Sequence, residues 1–272
     1  MRTVAIIQAR LQSSRLPGKV LKDIAGRPML ERVVARTRRA QTLDEVLVAT
    51  STDASDDAVA AFCASMGIPC ARGSLLDVLD RYYQAARQSH AEVVVRVTAD
   101  CPVIDPALID QVVDVFRQGG FDFACNRLPP PFTRSFPIGL DVEVCTMAAL
   151  ERAWREADQP FQREHVMPYL YEGVQMSDRR PFGHATLRLA TGTSPRGFRI
   201  AQLHHEPDYG HYRWTVDTPE DLEFIRQVYA RFGGREEFSW QDVLTLVQRE
   251  PALSAINANV RHKTLREIDE RF

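Results

Sequence analysis

The sequence predicts an α/β fold: a mainly parallel sheet with helices on both faces and a small inserted hairpin. Three observations lead there. Short apolar runs at residues 4–7, 45–50, 68–71 and 93–97 alternate with stretches of helical spacing, the rhythm of β-α-β units. Helix punctuation falls between runs, as in Asp105-Pro106 before one helical stretch and Gly119-Gly120 after it. Several runs also end in charged or hydroxyl residues, and open sheets bind ligands at the carboxyl ends of their strands.

The first run reads as a buried strand. Residues 8–19, Gln-Ala-Arg-Leu-Gln-Ser-Ser-Arg-Leu-Pro-Gly-Lys, follow it. Arg10, Arg15 and Lys19 supply cationic donors, and Ser13, Ser14 and the Gly18 backbone supply neutral ones, a composition suited to a polyphosphate. It is no Walker A loop, because Ser13 stands where that motif needs glycine and Val20 follows Lys19. Pro28 then reads as the first residue of a helix. Met29, Leu30, Val33, Val34 and Thr37 form its inner face, and Arg32, Arg36 and Arg39 are expected on a solvated face. An RNA-binding role for these arginines is the weaker alternative.

The run at 45–50 is a second strand. A helix at 56–66 ends before Gly67, and 68–71 is a third strand. Ser74 and Asp77 have capping-box spacing for a helix that takes in Leu76, Leu79 and Tyr82. Arg72, at a strand end, is a candidate ligand contact. The run at 93–97 leads into Thr98-Ala99-Asp100-Cys101-Pro102. A strand-end aspartate beside a basic loop suits magnesium, which takes hard oxygens and accompanies triphosphate.

Residues 121–125 read as a strand, 128–139 as a proline-rich excursion from the sheet, and 141–145 as a strand followed by a helix capped by Thr146. Arg163-Glu164-His165 is expected to open a short helix interrupted by Pro168. Residues 184–190 and 198–203 form the expected hairpin, suited to a dimer contact or a substrate wall. His204, His205 and His211 lack the partner spacing of a metal site. Residues 212–217 read as a last strand ending in Asp217, before a helix start at Thr218-Pro219-Glu220-Asp221. Asp217 repeats the placement of Asp100, so the two are expected to converge on one magnesium. Helices from Ser239 and Pro251 complete one domain over 1–272, with an insertion at about 127–211 for acceptor binding or dimerisation.

The 34 basic and 36 acidic residues nearly cancel, against a general nucleic-acid binder. Residues 1–40 nevertheless carry ten Lys or Arg and two acids, which suits a small anionic ligand. Cys63, Cys70, Cys101, Cys125 and Cys145 show no paired framework, so reduced thiols and a cytoplasmic location are expected. The opening apolar run is too short for a signal peptide, and no run has transmembrane length. No membrane partner is expected.

In order along the chain, residues 8–19, 72–83 (Arg-Gly-Ser-Leu-Leu-Asp-Val-Leu-Asp-Arg-Tyr-Tyr), 98–102, 139–143 (Gly-Leu-Asp-Val-Glu), 163–166 (Arg-Glu-His-Val) and 216–222 (Val-Asp-Thr-Pro-Glu-Asp-Leu) resemble the CMP-sugar-acid cytidylyltransferases. These include the CMP-3-deoxy-manno-octulosonate and CMP-sialic acid synthetases and a branch named for spore-coat polysaccharide synthesis. The resemblance implies a Rossmann-like nucleotidyltransferase fold shared with GT-A glycosyltransferases, CTP and an acidic sugar as substrates, Mg2+ as cofactor and a homodimer. It implies that Arg15, Lys19 and Asp100 are catalytic and that Asp100 and Asp217 hold the metal. Gln8, Ala9, Arg10, Ser13, Ser14, Arg15, Lys19, Thr98 and Ala99 would bind nucleotide. Thr50, Ser51, Arg72 and Ser74 would line the nucleoside pocket. Asp141, Glu143, Arg163 and His165 are the acceptor-binding candidates. Two departures stand out: Gln8 replaces the usual Pro or Ala before Ala-Arg, and residues 127–211 give no match to a sugar-acid pocket. A GT-A-like glycosyltransferase would need an Asp-x-Asp triplet, which residues 98–102 lack. A non-catalytic nucleotide-binding protein is the other alternative.

Overall fold

A computed structural model describes residues 1–261 and Glu267; residues 262–266 and 268–272 of the expected 1–272 domain lie outside the described residues. Strand β1 (Thr3–Gln8) leads to a small pair, β2 (Asp23–Ile24) and β3 (Arg27–Pro28), then α1 (Met29–Thr37), β4 (Glu45–Ser51), α2 (Asp57–Ser65), β5 (Cys70–Gly73), α3 (Val78–Gln88), β6 (Val93–Thr98) and α4 (Pro106–Gly119). Next come β7 (Phe123–Cys125), β8 (Glu143–Thr146), α5 (Met147–Glu156), α6 (Pro160–His165), α7 (Pro168–Tyr171), β9 (Gln175–Met176), β10 (Arg180–Phe182), β11 (His184–Thr193) and β12 (Arg199–His205). Helices α8 (Pro219–Arg231), α9 (Trp240–Arg249) and α10 (Pro251–Ala255) follow.

The main sheet runs β10-β11-β12-β7-β8-β6-β1-β4-β5, with β9 beside β11. Strands β6, β1, β4 and β5 are parallel. Strand β8 is antiparallel to both β6 and β7, so β7 points the same way as β6. The carboxyl ends of β1, β6 and β7 therefore share one edge, where an open sheet places its ligand. Successive side chains on a strand face opposite ways, and the core divides accordingly. Ala5 and Ile7 of β1 pack with Leu30, Val33, Ile109 and Val112 in one buried cluster. Val4 and Ile6 pack with Leu79, Tyr82 and Leu150 in the other. The α/β architecture is thus as expected, with helices covering both faces.

Several local expectations need correction. Pro28 pairs with Asp23 in the small ladder, and the helix begins at Met29. The arginine face of α1 is largely not solvated: Arg32 and Arg36 are fully buried, while Arg39 is exposed. Arg32 donates to the carbonyls of Ile24, Ala25 and Gly234. Arg36 donates to those of Ile104, Glu236 and Phe238. Their planar forks satisfy loop carbonyls that would otherwise be buried without donors. Asp77, not Ser74, caps α3; Ser74 Oγ instead accepts from the Asp77 N–H at 3.0 Å. Residues 163–165 close α6 rather than open a helix, and Pro168 begins α7. The expected hairpin is present as β11–β12, and it belongs to the main sheet, because β12 pairs with β7. Residues 212–217 are not a strand, apart from one bridge between Ile138 and Arg213. Gly139, at φ +106, makes this close approach possible, because a Cβ there would lie 2.6 Å from the Thr215 nitrogen.

Candidate active site

The loop after β1 is anchored from behind. The Leu11 N–H donates to Asp56 Oδ1 at 2.7 Å, and the Gly18 N–H donates to the Leu11 carbonyl at 2.9 Å. Asp56 is fully buried and also accepts from the Ser51 hydroxyl. Gly18 takes a left-handed conformation, φ 70, and turns the chain into the short helical turn that begins at Lys19. That turn points Lys19 inward.

The Lys19 ammonium sits 2.9 Å from Asp100 Oδ2, 2.9 Å from Asp217 Oδ1 and 2.8 Å from the Val216 carbonyl. All three of its protons are thereby used. Burial opposes its charge, but Asp100 and Asp217 outweigh burial and hold its pKa above the ordinary value. Asp217 shows the reciprocal effect: burial pushes its pKa up, while Lys19, Arg15 and Arg213 overcome that and hold it well below the usual carboxylate range. Arg15 lies 3.0 Å from Asp217 Oδ2, and Arg213 reaches the same oxygen at 2.8 Å. Thr98 Oγ1 donates to Asp100 Oδ1 at 2.6 Å. Arg213 is in turn held by Asp221, which also accepts from the backbone N–H groups of Asp217 and Thr218.

A cavity of about 1230 Å³ opens over this cluster. Pockets for one small ligand run to roughly 300–1,000 Å³, so there is room for a nucleotide and a second substrate. Of the sequence candidates, Gln8, Ala9, Arg10, Ser13, Ser14, Arg15, Lys19, Thr98, Ala99, Asp100, Asp141, Glu143, His165 and Asp217 line it. Thr50, Ser51, Arg72, Ser74 and Arg163 do not. Thr50 and Ser51 are buried. Arg72 turns to Asp57 and the carbonyls of Ser51 and Asp53, and Arg163 is held by Asp77.

The cavity also takes residues that the sequence reading passed over: Arg81, Arg96, Arg127, Glu164 and Tyr171. Arg96 had a visible signal, a lone charge inside an apolar strand. It pairs with buried Glu143 and donates to Gln8 Oε1 at 3.1 Å. Burial works against the Arg96 charge, yet Glu143 more than compensates and its pKa is raised. Glu164 and His165 enter the wall from the end of α6, where buried Val166 adopts φ 72. A β-branched residue in that region is strained by roughly 1–3 kcal/mol.

Asp100 and Asp217 converge on one cation, Lys19, and both offer the hard carboxylate oxygens that a divalent ion takes. Two carboxylates plus substrate phosphate oxygens are what magnesium takes, and the donor set fits it. Among the described residues no three His, Cys, Asp or Glu side chains cluster to hold a metal by themselves. Of the histidines, His204 lies 3.5 Å from Ser135 Oγ, His205 Nδ1 lies 2.9 Å from the Pro207 carbonyl, and His211 packs on Tyr212.

His204 makes a testable point about stability. Burial lowers its pKa to about 4, and Arg179 pushes the same way. The unfolded chain, with His204 near 6.5, takes up a proton first as pH falls. The stabilisation is complete above that value and drains away as pH drops toward the folded value, by about 2 kcal/mol after allowance for solvent screening. The urea midpoint should therefore fall between pH 7 and pH 4.5 more in the natural protein than in His204→Gln. Equal pH dependence in the two would show that His204 is not the group responsible.

A family model described as Cytidylyltransferase matches residues 4–240. The spore coat polysaccharide biosynthesis protein SpsF of Bacillus subtilis is 31% identical over 251 residues, covering 90% of this chain and 94% of that one. The 3-deoxy-manno-octulosonate cytidylyltransferase of Geobacter sulfurreducens is 41% identical over 248 residues, 83% of this chain and 98% of that one. The solved structure of a cytidylyltransferase from Leptospira borgpetersenii superposes with a TM-score of 0.81 at 29% identity, covering 96% of this chain and all of that one.

Proposed function

The chain belongs to the cytidylyltransferase family, and on that footing we propose that it moves CMP from CTP to an acidic sugar with release of pyrophosphate, in the synthesis of a surface polysaccharide or other glycan precursor. The observation that carries this is the Lys19 ammonium held between Asp100 and Asp217 beneath the loop of Arg10, Ser13, Ser14 and Arg15. Cations for a polyphosphate and carboxylates for its metal meet on one wall of a cavity large enough for two substrates. The Bacillus subtilis relative is named for a polysaccharide and the Geobacter sulfurreducens relative for an octulosonate, which supports the acceptor class.

In this mechanism the loop binds the triphosphate and fixes the α-phosphorus for in-line attack by the acceptor oxygen. Lys19 keeps its proton, as its raised pKa requires, and with Arg15 it neutralises charge on the departing pyrophosphate. Asp100 and Asp217 would hold magnesium. Magnesium, when bound, neutralises charge that grows on the phosphoryl oxygens and polarises the nucleophile. The remaining work is positioning. Unpaired thiols at all five cysteines favour a cytoplasmic location, and residues at about 127–211 are proposed to serve acceptor binding, dimerisation or both.

A pyrophosphate-release screen of CTP against the other nucleoside triphosphates, over a panel of acidic sugars, tests the assignment. Release restricted to CTP plus an acid supports it. Release of a nucleoside diphosphate from a sugar nucleotide instead would place the protein among glycosyltransferases. Asp100→Asn and Asp217→Asn should each weaken magnesium-dependent CTP binding about tenfold or more, measured by titration with and without the metal. Binding that keeps its full magnesium dependence in both variants would remove these residues from the metal site.

A further inference from the structure

We propose that Arg127, together with the Tyr171 hydroxyl, is the seat for the carboxylate of the acceptor. This rests on cytidylyl transfer to an acid as proposed above. Arg127 lies just past β7, at the sheet edge shared with the carboxyl ends of β1 and β6, and its part-buried side chain lines the cavity.

Four of the neighbouring cations are paired with acids, and a fifth, Arg81, donates to the Ser74 carbonyl. Lys19 is held by Asp100 and Asp217, Arg15 by Asp217, Arg96 by Glu143, and Arg10 lies 3.8 Å from Glu164. Among the described residues, the Arg127 guanidinium donates no hydrogen bond and has no carboxylate oxygen within 4.0 Å. The acids that influence it are Asp141 and Glu143. Arg134 binds both oxygens of Asp141, and Arg96 binds Glu143. Arg127 is thus a positive charge beyond what the nearby pairs consume, in a wall where removal from water is costly. Its planar fork matches a carboxylate with two parallel hydrogen bonds.

The placement favours the acceptor over the nucleotide. The triphosphate donors cluster at the ends of β1 and β6. Arg127 is two strands beyond β6 in the sheet order, about 10 Å at ordinary strand spacing. The site is also built to be rigid. Asn126, fully buried, donates to the Leu140 carbonyl at 2.7 Å and accepts from the Val142 N–H at 2.9 Å, clamping the backbone beside Arg127. Tyr171 is buried and lines the same cavity. Burial and Glu143 push its hydroxyl pKa up, so it remains a donor.

The test uses Arg127→Met, Arg127→Lys and Tyr171→Phe in the full chain. For Arg127→Met, the KM for the acidic acceptor in pyrophosphate release should rise about thirtyfold or more, and about three- to tenfold for Tyr171→Phe. CTP binding with magnesium, followed by calorimetry, should stay within about twofold. The natural protein should prefer an acceptor acid over its carboxamide, and Arg127→Met should lose that preference. Arg127→Lys keeps the charge without the fork and should fall between. If Arg127→Met melts early, the comparison moves to Arg127→Lys and to acid against carboxamide in the natural protein. Loss of CTP affinity with acceptor KM unchanged would reassign Arg127 to the nucleotide. An unchanged KM with unchanged CTP binding would remove the seat while leaving cytidylyl transfer intact. No turnover of any acid by the natural protein, despite CTP binding, would overturn the acceptor class and the seat with it.

Discussion

Lys19→Ala is expected to lower pyrophosphate release from CTP by about 10³-fold or more, since it removes a fixed cation from a site that works by electrostatics and positioning. The same change should reduce stability. Without the ammonium, Asp100 and Asp217 face each other across a largely buried gap. Breaking a buried pair costs about 3–5 kcal/mol. The lower end applies here, because Arg15 and Arg213 still hold Asp217 and the Asp100 side chain is 26% exposed. Urea unfolding measures the second effect and single-turnover pyrophosphate release the first. Lys19→Arg should not restore activity. Its planar head cannot reproduce three donors converging on Asp100, Asp217 and the Val216 carbonyl. Turnover within tenfold of the natural protein in either variant would remove Lys19 from the reaction.

Asp221→Ala should be the most destabilising single change near the site, by about 3–5 kcal/mol. Asp221 has no solvent exposure and accepts from Arg213 Nε and Nη2, from Asn257 Nδ2, and from the N–H groups of Asp217 and Thr218. Its loss deprives the buried Arg213 guanidinium of the carboxylate that holds its Nε and Nη2 and releases the backbone that aims Asp217 into the cavity. Asp221→Asn keeps the shape but turns donor hydrogens toward other donors, so it should recover little. The urea midpoint reports the stability. Magnesium-dependent CTP binding, measured on the folded fraction, reports the loss of aim at Asp217. A change below about 1 kcal/mol, the range of an ordinary helix cap, would mean that the network is not shared in this way.

Asp221 also illustrates where sequence reading stops. Thr218-Pro219-Glu220-Asp221 announces a capped helix, and the capping box is present. A cap is a local arrangement, so three residues' spacing is enough to reveal it. That the same carboxylate holds Arg213, a residue outside any strand or helix, follows from how 213–217 is laid against 138–140. No local pattern encodes that. The arginines of α1 fail for a related reason. Helical spacing assigns Arg32 and Arg36 to a face, but it cannot tell that loops from the far end of the chain cover that face and offer their carbonyls. The expected strand at 212–217 failed because a strand also needs a partner in register, and among the described residues this segment makes only the bridge from Arg213 to Ile138.

The run of residues 8–19, the turn at 98–102 and the Asp217 helix start were all legible. Each is a short-range signal: a strand end, a turn composition or a cap. Strand rhythm likewise specified an α/β sheet, because apolar period and helix punctuation are written residue by residue. The pairing of charges was decided elsewhere. Lys19, Asp100 and Asp217 meet because β1 and β6 are neighbours and the segment before α8 crosses their ends. Arg96 finds Glu143, and Arg163 finds Asp77 instead of the cavity, through the same folding together of distant segments. Electrostatic partnership depends on distance in space and on burial, and neither quantity exists until the chain has closed on itself.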